Sequence, residues 1–227
     1  MSRDQRAISS VPRAVLLVLA LTLVVQIALQ GSRHAGPRAA EDLPPPPEPQ
    51  GLRLASFGEP ETAARLSMVY LQSFDFPRID LQRALDWLRG PLALDPRSQY
   101  PLFLAARVYA ESADPARQRA VLEFVYQEFL QDPNRRWPWL AHAALLAKHR
   151  LKDLALARRY AHAVQEKTTA RDVPLWATQM EIFILEDMNE LEAAKIMIGG
   201  LLQSGTLTDP AEIRFLKERL DALEGRK

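Results

Sequence analysis

Two arginines and two tryptophans crowd into Asn134-Arg135-Arg136-Trp137-Pro138-Trp139, the most unusual local composition in the chain. Indole and guanidinium groups together stack, bury area and make charge-assisted contacts, which is the chemistry of a protein-binding hot spot rather than of bond making. The alternative is that Trp137 staples the start of its helix while both arginines face solvent. His142 and His149 fall seven residues apart on one helix face, with His162 on the following helix. Two helical turns separate the pair by about 10 Å, too far for both to reach one metal ion as an i, i+4 pair does. They are expected to sit neutral on a solvated or half-buried face. Glu181, Glu186, Asp187, Glu190 and Glu192 could supply a general acid and base, yet they lie at a helix end and the start of its partner, where acids support caps and solvation.

Other chemistries are excluded more firmly. The chain has no cysteine, which removes thiol nucleophiles, thiolate metal sites, disulfides and an acylated cysteine anchor. It also has no G-x-S-x-G, no H-E-x-x-H and no phosphate-cradling glycine loop. No catalytic residue, cofactor or metal is expected, and the chain is not read as an enzyme. The net charge of +1 is zoned: residues 51–134 carry nine Arg/Lys against eleven Asp/Glu, residues 135–171 nine against two, and residues 172–227 six against eleven. A basic middle with an acidic end favours an acidic protein partner, or association of one copy's middle with another's end. A nucleic-acid binder would be basic as a whole, so nucleic acid is not an expected partner.

These residues need elements to hold them. Residues 1–13, with Arg3, Arg6 and Arg13, precede a run from Ala14 to Leu29 that is apolar except for Thr22 and Gln26. Sixteen helical residues reach roughly 24 Å, and extension through Ser32 approaches the roughly 30 Å of a hydrocarbon core. Residues 14–32 are therefore expected to be an uncleaved transmembrane anchor, the alternative being a cleaved export signal. The excess of basic residues before the run places the N-terminus in the cytoplasm and the C-terminal domain in the periplasm, as a single-pass inner-membrane protein. Residues 33–58 read as a proline-rich linker. Pro37, Pro44, Pro45, Pro46, Pro47 and Pro49 favour the extended polyproline II form, so this linker is expected to hold the domain off the bilayer. A docking motif for a proline-reading domain is the alternative.

Residues 59–227 show almost no β-signal and abundant Ala, Leu, Arg and Glu at helical spacing. Asp-Pro pairs at 95–96, 114–115, 132–133 and 209–210 punctuate them. Helices are expected near 60–73, 79–93, 99–112, 115–131, 136–149, 153–167, 173–187, 190–203 and 210–223, giving an all-α chain of about four hairpins plus a C-terminal capping helix. Ile213, Phe215, Leu216, Leu220 and Leu223 should form the apolar side of that cap.

Large and small residues recur within these hairpins: Ala84 and Leu88 before Pro96; Leu102, Ala106 and Tyr109, then Ala120, Phe124 and Pro133; Trp139, Ala143 and Leu146, then Ala157, Ala161 and Val164; and Trp176, Met180 and Phe183, then Ala194, Ile198 and Leu201. The pattern resembles a degenerate tetratricopeptide repeat over about residues 60–205, with Met180 at a small-residue position and most signature glycines missing. That resemblance implies a solenoid whose first helices line a concave, peptide-reading face. Tyr100, Phe103, Arg107, Arg135, Arg136, Trp137, Lys148 and Glu181 become candidate partner contacts, with Ala144 and Ala177 on the same face. The implied role is a membrane-tethered scaffold or adaptor, an accessory subunit of an envelope or transport complex. The alternative is an exported soluble repeat protein that binds a small molecule or envelope polymer.

Overall fold

A computed structural model describes residues 12–32, 43–56, 58–74, 76–170, 172–205 and 207–225. All regular structure among them is helical, and the chain divides into two units, Met1–Glu41 and Asp42–Lys227. The first unit contains α1 (Arg13–Ser32), whose side chains from Val15 to Ile27 are exposed. Among the described residues no helix is long and apolar enough to cross a membrane. The span expected at 14–32 thus exists as a helix, and a bilayer crossing is not supported. Residues 1–11 and 33–42 lie outside the described residues.

The second unit starts earlier than the expected boundary at 59. Leu43 is 1% exposed and sits in the main core. Residues 43–48 run without regular hydrogen bonding until Pro49, at the first helical position, begins α2 (Pro49–Ala55). A polyproline backbone leaves its carbonyls without internal partners, and the helix beneath supplies donors: Arg83 Nη1 donates to the Leu43 carbonyl at 2.8 Å and Trp87 Nε1 to the Pro44 carbonyl at 2.7 Å. The described part of the 33–58 linker is therefore packed on the domain. The spacing of prolines reveals the extended form, and only the partner helix reveals that it is docked.

Hairpins then follow in series: α3 (Pro60–Gln72) with α4 (Leu81–Leu94), α5 (Tyr100–Arg107) with α6 (Pro115–Gln131), and α7 (Pro133–His149) with α8 (Leu154–Lys167). The short α9 (Leu175–Thr178) and α10 (Met180–Asp187) lead to α11 (Leu191–Gln203), against which α12 (Pro210–Glu224) closes the array. Aspartates set the starts. Asp80 accepts from Arg83 N at 2.8 Å, Asp114 from Ala116 N at 2.9 Å, Asp153 from Leu156 N at 2.9 Å and Asp209 from Ala211 N at 2.8 Å. Each satisfies an orphan amide of the first turn.

Three boundaries differ from expectation. Pro133 sits at the first position of α7, so that helix begins before 136 with no cap from the Asp132 side chain. The helix expected over 99–112 stops at Arg107 and tightens into a 3-10 turn, Tyr109–Glu111. The helix expected over 173–187 divides at Gln179, which is buried.

The seam between α7 and α8 is lined by alanines. α7 packs against α8, with Ala143, Ala144 and Ala147 on the one and Ala157 and Ala161 on the other all fully buried, and side chains this small let two helices approach closely. Ala84, Ala106 and Ala194 are equally buried on other helices. Ala120 is exposed while Val121, Leu122 and Phe124 are buried, so of the two repeat positions expected on α6 the large one holds and the small one does not. A continuous core runs from Leu43 to Ile184, and a smaller one joins Ile182, Leu185, Ala194 and Ile198 to Leu207, Leu216 and Leu223. Phe215, expected on the apolar side of α12, is instead 43% exposed.

Candidate interaction surface

The two members of each hairpin carry different surfaces. Between α3 and α12, exposed large apolar side chains fall on the first helices, on the turn after α5 or on α12: Leu66, Val69 and Tyr70; Tyr100 and Phe103; Val108; Leu145; Leu175 and Trp176; and Phe215. Among the described residues of the second helices, only Leu130 and Ile196 are of this kind. The second helices are instead laced by charge. Arg89 pairs with Asp86 and approaches Glu128 at 3.9 Å, Arg119 pairs with Asp153, and Arg159 with Glu123. Arg89 also lies over Phe124, and Arg159 over Tyr126 and Tyr160. Buried Tyr160 has its hydroxyl pKa pushed up by desolvation.

The best-organised stretch of the apolar surface spans α3, α5 and α7. Tyr100 donates its hydroxyl to Gln72 Oε1 at 2.9 Å and stacks on Phe103, with centroids 6.0 Å apart. Phe103 meets Trp139 edge to face at 5.9 Å, and the Trp139 indole donates to Gln99 Oε1. An open groove of ~520 Å³ separates Val69 and Met68 from Tyr100 and leads into this aromatic run. A second pair, Trp137 and Trp176, meets at 5.6 Å and 68° across α7 and α9.

The eight candidate residues separate into two sets. Tyr100, Phe103 and Arg107 share one exposed stretch of α5. Arg135 is exposed and pairs with Asp132 at 3.0 Å, and Trp137 is half-buried against Trp176. Lys148 is half-buried and tied to Asp187. Arg136 and Glu181 do not belong to a surface at all. The Arg136 side chain is 5% exposed, donating to the Glu128 carbonyl at 2.7 Å and to Glu128 Oε2 at 3.0 Å. The Glu181 side chain is 3% exposed, accepting from Arg158 Nε at 3.1 Å and contacting His162 Nδ1 at 2.8 Å. Ala144 and Ala177 are also fully buried. A charged residue in a helical pattern reads as solvated, and only the opposing helix shows that it is paired inside.

The three described histidines have different settings. His149 is exposed, while exposed His162 bonds to Glu181. His142 is half-buried against α5, and desolvation followed by the positive charge of Arg107 lowers its pKa, with Glu111 opposing. Among the described residues no group of three or more His, Asp or Glu side chains could hold a metal ion.

Family models, curated proteins and solved structures give no match to this chain. The surface must be interpreted from its own geometry. Leu66, Val69 and Leu145 escaped sequence reasoning, and Trp176, read as a large residue of the repeat, is exposed; a signal for two of them was present: in α3, Ala63, Ala64, Met68 and Leu71 complete a buried stripe that leaves Leu66 and Val69 outside it.

Proposed function

We propose that this chain is a protein-binding scaffold built from tetratricopeptide-like hairpins, with its partner surface on the first helices around Tyr100, Phe103, Arg107 and Trp139. One observation carries the reading: among the described residues from α3 on, exposed large apolar and aromatic side chains concentrate on first helices, with Leu130 and Ile196 the second-helix exceptions. Exposed apolar patches rimmed by polar residues mark interaction sites, and aromatic residues with arginine dominate such contacts. Phe103 and Trp139 supply rigid area, and Arg107 supplies charge at the same edge.

Attachment to the inner membrane through α1, with the helical domain in the periplasm as an accessory subunit of an envelope or transport complex, belongs to the same proposal. The exposed apolar side chains from Val15 to Ile27 support attachment. Carbonate washing of membranes tests it, because release of the intact chain into the supernatant removes the tether.

The surface itself is tested with a photo-crosslinking amino acid placed in the full-length chain at Phe103, Leu145 or Trp176, and at Gln127 on the second-helix face. Adducts of one mass at the first three positions and none at Gln127 are expected. Adducts at Gln127 alone, or equally at all four positions, overturn the assignment.

A further inference from the structure

Leu43 to Pro47 is a peptide seated on a receptor surface, although both belong to one chain. Its leading leucine is fully enclosed, and the next two contacts are backbone carbonyls taken by an arginine and an indole. Neither hydrogen bond reads a side chain, and the enclosed Leu43 supplies the side-chain contact. A tryptophan N–H aimed at the carbonyl of an extended proline-rich strand is how aromatic-lined grooves hold polyproline II ligands, whose low conformational entropy makes them inexpensive to order.

Beside this contact lies an open apolar groove of ~320 Å³, with Pro47 and Leu52 on one wall and Ala63, Leu66, Tyr70 and Trp87 on the other. The segment reaches α3 through α2 and a short turn where Gly58 adopts φ +85°, a conformation that favours glycine.

We propose that Arg83 and Trp87 on α4 form a binding site for extended segments in which a large aliphatic residue precedes consecutive prolines, occupied in cis by Leu43–Pro47. The attached segment competes with any free ligand at an effective concentration on the order of millimolar, so the site opens to a second proline-rich strand only when its own is displaced. Displacement also removes the Pro47 and Leu52 wall of the groove. Arg83 and Trp87 lie on a second helix, apart from Tyr100, Phe103, Arg107 and Trp139, so failure of this site leaves the surface around those four residues untouched.

A protease recognition sequence inserted beside Gly58 tests this in the full-length chain, because cleavage leaves every receptor residue in place and makes the segment non-covalent. The probe is a synthetic peptide with the sequence of residues 41–50. After cleavage and washing, it should bind saturably, and apparent affinity for the uncut protein should be weaker by on the order of tenfold. Trp87→Phe, which keeps the ring and removes the indole donor, and Arg83→Met should each abolish that gain. A peptide with the four consecutive prolines replaced by alanine should bind more weakly. Absence of saturable binding by cleaved protein that retains its helical circular dichroism refutes the proposal, as does binding indifferent to both substitutions. If cleavage unfolds the chain, Leu43→Asp releases the segment by another route and is subject to the same two outcomes.

Discussion

Replacing Arg136 with methionine separates a folding role from a binding role. The guanidinium is enclosed between α6 and α7, where Nη1 serves both the backbone carbonyl and the carboxylate of Glu128. Methionine keeps most of the volume but leaves a carboxylate that is 14% exposed and a carbonyl that has lost this donor. Breaking one side of a buried pair costs about 3–5 kcal/mol. Arg89, with Nε 3.9 Å from Glu128 Oε1, leaves some compensation in place, so the lower end, about 3 kcal/mol, applies here. For a unit of this size that corresponds to a fall in Tm of roughly 6–12 °C.

The companion change is Arg136→Met with Glu128→Leu, which removes both charges. It should recover all but about 1 kcal/mol, the residue being the unpaired carbonyl. Urea titration followed by circular dichroism measures both variants. Stacked hairpins lose stability locally, so amide hydrogen exchange should rise first along α6 and α7. A single variant within 1 kcal/mol of the parent, or a double variant no better than the single, refutes the buried-pair account. Loss of crosslinked partner in the single variant without loss of stability would return Arg136 to the surface role.

Three further outcomes follow from local geometry. Because the folded-state pKa of His142 is lowered, the unfolded chain binds more protons as pH falls below the ordinary imidazole value of about 6.5; stability should therefore decline from that point until pH drops below the folded value. His142→Gln should flatten that part of a Tm-against-pH curve, and an unchanged slope would assign the titration elsewhere. Lys152, just after α7, holds φ at +55°, so Lys152→Gly should stabilise the chain by roughly 0.5–1 kcal/mol despite the greater freedom of glycine when unfolded, as measured in urea; a loss would contradict it. Ala157→Leu at the fully buried α7–α8 seam should cost about 1–3 kcal/mol by overpacking, whereas Ala120→Leu on the exposed face of α6 should stay within about 0.5 kcal/mol. Equal effects in thermal melts would mean that the register of α6 is misassigned.

Local chemistry was legible because its causes are local. The caps at Asp114 and Asp209, the prolines that follow them and apolar residues at helical spacing locate most of the helices from α3 to α12 to within a few residues, whereas the early end of α5 and the division into α9 and α10 were not legible. Of the small residues picked out by the repeat pattern, Ala84, Ala106, Ala143, Ala157, Ala161 and Ala194 are buried and Ala120 is exposed. A helical pattern also identifies Tyr100 and Phe103 as first-helix residues. Whether a charge on such a helix meets water or a partner depends on a chain segment distant in sequence: Glu128 for Arg136, and Arg158 with His162 for Glu181.

The proline run shows the same division. Its residue types dictate an extended backbone with unused carbonyls, and nothing in their order says that α4 presents Arg83 and Trp87 at the spacing to take two of them. Periodicity assigns one buried stripe per helix, while a helix held between two neighbours buries more than one side. Helices, caps and apolar stripes are thus fixed by neighbours along the chain. The burial of Arg136 and Glu181, the docking of Leu43 and the sorting of exposed aromatic residues onto first helices were settled only when hairpins met, because desolvation and pairing are properties of the contact and not of the residue.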